Sequence, residues 1–68
     1  MTNREIALEQ ALVAVMAEAK KLGVDLDDLI SEVKGGLMGH DPYRHVDHPH
    51  NTNAIQEVLD AKDAVDKL

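Results

Sequence analysis

All four histidines of this 68-residue chain lie between positions 40 and 50, in the order H-x4-H-x2-H-x-H, with Asp41 and Asp47 among them. Imidazole and carboxylate together make a donor set suited to zinc, nickel or copper. His40, His45, His48 and His50 are therefore the candidate metal ligands, with zinc or nickel as the ion. Against this, the spacing follows no established ligand pattern, and the chain has no cysteine, the usual donor of a structural zinc site. A proline-interrupted loop also offers few rigid acceptors to orient each ring. The expectation is a protein without a cofactor, with metal binding through the histidines as the alternative. Unperturbed imidazoles titrate near about 6.5, so a pH-dependent change of local charge is a further option for the same residues.

The segment Gly39 to Asn53 also holds both prolines and the single aromatic residue, Tyr43. A connection this long in a compact domain is functional or mobile, which makes it the expected working surface. Asp41-Pro42-Tyr43-Arg44 has the composition of a type I turn. Such a turn presents a planar ring beside a guanidinium, residue types enriched among binding hot spots. Tyr43, Arg44 and His45 are the candidate partner-binding residues. The competing reading has the Tyr43 ring folded onto Leu37, Met38 or the helix that follows.

Catalysis is not expected. Ser31 is the only serine and has no histidine at helical spacing to act as its base, and a cysteine nucleophile is lacking. The adjacent His40-Asp41 pair is a common accident of composition. Gly35-Gly36 and Gly39 lack the GK[ST] ending of a phosphate loop. A formal charge of −6 opposes non-specific attraction to nucleic acid or anionic lipid, so neither direct nucleic-acid binding nor membrane binding is expected. The acidic balance leaves open an inhibitor that mimics nucleic acid, although Lys20, Lys21, Lys34, Lys62 and Lys67 dilute such a field.

The elements that position these residues are legible as three amphipathic helices. Thr2 and Glu5 form a capping box, flanked by Met1 and Ile6 in staple positions. Leu8, Leu12, Val15, Ala19 and Leu22 recur at steps of four and three, which predicts the buried stripe of a long first helix. Gly23 ends it, with Lys20 and Lys21 in the last turn. Asp25 caps a short second helix with Asp27 and Asp28 in its first turn and Val24 stapled on Leu29. Its apolar face is Leu26, Leu29, Ile30 and Val33, and Gly35-Gly36 is expected to stop it. The short link predicts that it folds back on the first helix as a hairpin. The third helix is expected to begin near Asn53, with Asn51 or Thr52 as other possible caps, and to bury Ile55, Val58, Leu59, Ala61, Val65 and Leu68.

No period-two alternation supports a strand, so the fold class is all-α: one domain over 1–68, a small bundle of three helices, with 39–53 as the His-rich connection. A chain of this length buries only about 60% of its unfolded surface and gains stability from disulfides, a metal or a partner. With no cysteine, completion by a homodimer is expected. The first helix carries a second apolar line, Ile6, Val13 and Ala17, roughly 150° from the main stripe, and this is the predicted dimer face. The opening residues lack the pattern of a signal peptide, and no apolar run reaches the roughly 20 residues of a membrane span, so a cytoplasmic location is expected. The composition, with its GVDLDDLI turn, has the style of a small bacterial or phage accessory protein. These features together predict a small acidic protein that is not an enzyme and acts by binding a protein partner.

Overall fold

The computed structural model describes residues 1–39 and 42–68 and contains three helices: α1 (Asn3–Lys21), α2 (Leu26–Met38) and α3 (His50–Asp66). There is no strand among the described residues. The local signals at the first two helix starts are realised. The Glu5 N–H donates to the Thr2 hydroxyl at 3.1 Å while the Thr2 N–H donates to the Glu5 carboxylate at 3.4 Å, completing the capping box. The Asp25 carboxylate accepts from the Asp28 N–H at 3.1 Å. Between them, Gly23 adopts φ 92°, a left-handed conformation that costs other L-residues roughly 1–2 kcal/mol. The Gly23 N–H donates to Lys20 and the Val24 N–H to Ala19, each at 3.0 Å. This Schellman arrangement satisfies the terminal carbonyls of α1 and reverses the chain within a few residues.

α3 packs against both α1 and α2, while α1 and α2 barely touch each other. The expected hairpin of the first two helices is thus replaced by an arrangement in which α3 is the central element. The core is Met16, Leu26, Ile30, Ala61 and Val65, with Leu12, Val13, Ala17, Ala19, Leu29, Val58 and Leu59 packed around it. The apolar faces read for α2 and α3 are largely the buried ones, although Leu68 is exposed beyond the end of α3.

α1 is rotated relative to the sequence expectation. Its one buried residue is Met16, which at 100° per residue stands about 80° from the centre of each of the two apolar lines. A single face meets α3, and that face falls between the lines, taking one edge of each: Leu12 and Ala19 from the first, Val13 and Ala17 from the second. Leu8, Val15 and Leu22, predicted as core, are exposed instead, as is Ile6. Val13 and Ala17 rest on the chain's own core, so the predicted dimer face is largely used internally.

Two boundaries also move. Gly35-Gly36 does not stop α2, which continues to Met38. Gly36 is buried, so tertiary packing offsets the roughly 1 kcal/mol intrinsic penalty of a glycine in a helix. α3 begins at His50 with Pro49 at its cap and no side-chain capping bond, which shortens the connection to 39–49. Asn51, one of the proposed caps, is buried in the first turn, and its amide donates to the Leu37 carbonyl at 3.4 Å. The molecule measures 32 × 30 × 17 Å, with a radius of gyration of 12.2 Å, against about 11 Å for a compact chain of this length.

Candidate functional site

The connection between α2 and α3 is organised by Arg44, whose side chain is only 13% exposed. Its guanidinium donates to the carbonyls of Gly39 and Val46 and to the Asp47 carboxylate, the last two at 3.0 and 2.9 Å. Arg44 therefore ties the end of α2 to the approach to α3, and its fork is committed within the chain. Tyr43 is half-exposed and its hydroxyl donates to the Glu32 carbonyl at 3.4 Å, which lays the ring along α2. Of the three candidate contact residues, His45 is the one whose side chain has no such tie among the described residues.

His45, His48 and His50 are exposed. His48 Nδ1 is 3.3 Å from the Thr52 hydroxyl, and His50 opens α3. Among the described residues no three His, Asp or Glu side chains come together closely enough to hold an ion. The proposed ligand His40, the His40-Asp41 pair and the Asp41 start of the turn lie outside the described residues.

Two depressions flank α3. The first, between α2 and α3, has a volume of about 600 Å³ and is lined by Asp27, Lys34, Lys62 and Asp63 together with Ile30, Ser31, Gln56 and Leu59. Its charges are internally balanced. Lys62 Nζ lies 2.8 Å from Asp66 and 3.5 Å from Asp27, which links the start of α2 to the end of α3. The hydrogen bond to Asp66 raises the Lys62 pKa above its ordinary value, helped by the charges of Asp66 and Asp27 and opposed by desolvation. The same hydrogen bond lowers the Asp66 carboxyl below its ordinary value.

The second depression, a groove of about 550 Å³ between α1 and α3, differs in character. Its floor is apolar: Leu12 and Val13 from α1, Ala61 and Ala64 from α3, with Met1 and Leu8 at the outer margin. Its polar lining consists of Glu5, Glu9, Glu57 and Asp60, with no basic side chain among the lining residues. Glu5 caps α1 and Asp60 accepts from Gln56 at 2.9 Å, so these two carboxylates are oriented locally. The signal for this site is present in the sequence as paired acids at helical spacing, Glu5 with Glu9 and Glu57 with Asp60. Like charges three or four residues apart on one face disfavour the isolated helix. Neither pair stands out until α1 and α3 are laid side by side.

No protein-family model matches the chain, and no curated protein or solved structure shows significant similarity to it.

Proposed function

We propose that this chain is a non-enzymatic binding protein whose working surface is the groove between α1 and α3, and whose partner is the apolar face of a cationic amphipathic polypeptide segment. One observation carries this reading: an apolar floor bordered by four carboxylates with no basic side chain in the lining. Apolar contact with Leu8, Leu12, Val13 and Ala64 supplies the favourable burial, and lysine or arginine on the partner meets the acidic border. A helix laid in a groove is a common mode of peptide recognition, read by apolar anchors at i, i+3, i+4 and i+7. The carboxylates also disfavour acidic partners, which narrows the range of segments accepted.

The test is fluorescence anisotropy of a labelled helical peptide built from leucine and lysine, beside a control with every lysine replaced by glutamate. The lysine peptide should bind and weaken as salt is raised. Glu9→Lys together with Glu57→Lys should weaken it further, while leaving the helical spectrum intact. Equal binding of both peptides, or binding indifferent to the double reversal, would refute the assignment.

A further inference from the structure

The chain exposes 5138 Å² of surface, whereas a compact monomer of its 7.5 kDa mass exposes about 4,250 Å². The excess, roughly 900 Å², is close to the ~800 Å² that each partner buries in a stable interface. Several of the exposed large apolar side chains share one side of α1. Leu8, Val15 and Leu22 are 58%, 67% and 83% exposed and recur at intervals of seven residues, with Met1 continuing the series in the other direction. A seven-residue repeat is the period that keeps a seam facing another helix over its whole length. Ala7, Ala11 and Ala14 are also exposed and lie beside this line, so the middle of the face allows a close approach, with Arg4 and Glu18 towards its ends.

The charges of α1 select the occupant. On this side it carries Arg4 near its start and Glu18 near its end, both within about 60° of the Leu8–Val15–Leu22 line. A parallel pair would stack like on like at both ends. An antiparallel pair places Arg4 against its complement Glu18 and opposes the two helix dipoles. With the twofold axis near Ala11, Leu8 of one copy lies beside Val15 of the other and Met1 beside Leu22. Arg4 comes within a turn of Glu18 of the second copy. Arg4 has no ion pair among the described residues, while Glu18 holds only an exposed contact with Lys21 at 3.2 Å.

We infer that the outer face of α1 pairs with the same face of a second copy, antiparallel, with Leu8, Val15 and Leu22 as the buried seam and reciprocal Arg4–Glu18 contacts at its ends. The seam is separate from the peptide groove except at Met1 and Leu8, since Val15 and Leu22 do not line the groove.

Sedimentation equilibrium of the full chain tests this. The wild type should approach about 15 kDa, twice the 7.5 kDa of one chain, as concentration rises. Val15→Glu should remain at 7.5 kDa with an unchanged helical spectrum and should still bind the lysine peptide, which separates the two surfaces. Arg4→Glu and Glu18→Arg should each raise the dimer dissociation constant about tenfold at low salt, and the double variant should return it to the wild-type value. A wild type that stays at a single-chain mass to millimolar concentration, a Val15→Glu variant that still dimerises, or charge reversals without mutual rescue would each overturn the inference.

Discussion

Replacing Met16 by alanine should remove a large part of the chain's stability, whereas the same truncation at its neighbour Val15 should not. Met16 is 4% exposed at the centre of the core, and truncating a buried methionine to alanine costs about 2–5 kcal/mol. A 68-residue chain has about 3–10 kcal/mol in total, so the variant should lose at least about 8 °C in its melting midpoint and could fail to fold at 37 °C. Val15, two-thirds exposed on the outer face of α1, should cost no more than about 0.5 kcal/mol within the chain. Thermal melts followed by circular dichroism measure both. They should be read in the dilute limit, where the midpoint no longer depends on concentration and self-association contributes nothing. If Val15→Ala costs as much there as Met16→Ala, α1 is turned towards the stripe that its sequence suggests, and the argument from its outer face fails.

Gly35 has open space where a Cβ would stand, while a Cβ on Gly39 would lie 2.9 Å from the Gly35 carbonyl oxygen. Gly35→Ala should therefore raise the melting midpoint by about 0.5–1 kcal/mol worth of stability, and Gly39→Ala should lower it. Equal effects at the two positions would contradict the path of α2 through its glycines. Arg44→Leu strands the Gly39 and Val46 carbonyls that the guanidinium serves and should cost about 1–3 kcal/mol, read by urea unfolding. If Arg44→Leu is neutral in folding and instead abolishes partner binding, Arg44 is a contact residue after all. Asp66 is lowered by its hydrogen bond to Lys62, so its stabilisation is present above the ordinary carboxylate pKa and is lost as pH falls through the lowered value. Lys62, raised by the same bond, contributes below the ordinary lysine pKa and loses its share as pH rises through the raised value. Lys62→Met should flatten both limbs of the stability–pH profile, and superimposable profiles would count against the bridge.

The parts of this fold that were legible beforehand are those decided by neighbours in the chain. Thr2 with Glu5, Asp25 with Asp28, and Gly23 after Lys20-Lys21 each satisfy backbone groups within a few residues, so their meaning does not depend on what packs where. The rotation of α1 does depend on it. With apolar residues at positions 6, 8, 12, 13, 15, 16, 17, 19 and 22, most directions around the helix are acceptable, and the position of α3 decides among them. The same dependence misplaced the end of α2, because burial of Gly36 outweighs its low propensity, and the start of α3, whose first N–H groups are accepted by the Asp47 carbonyl and the Asn51 side chain. For the candidate site, residue types in 39–53 pointed to the connection, but Arg44 is occupied there by its own backbone. The groove is not legible in the sequence because its carboxylates come from α1 and α3, two helices with all of α2 between them.

The most direct measurement is the mass of the chain in solution by light scattering, beside that of Val15→Glu, from micromolar to millimolar concentration. The exposed seam on α1 predicts that the wild type moves from 7.5 kDa towards twice that value while the variant stays at the single-chain mass. Coincident curves would contradict it.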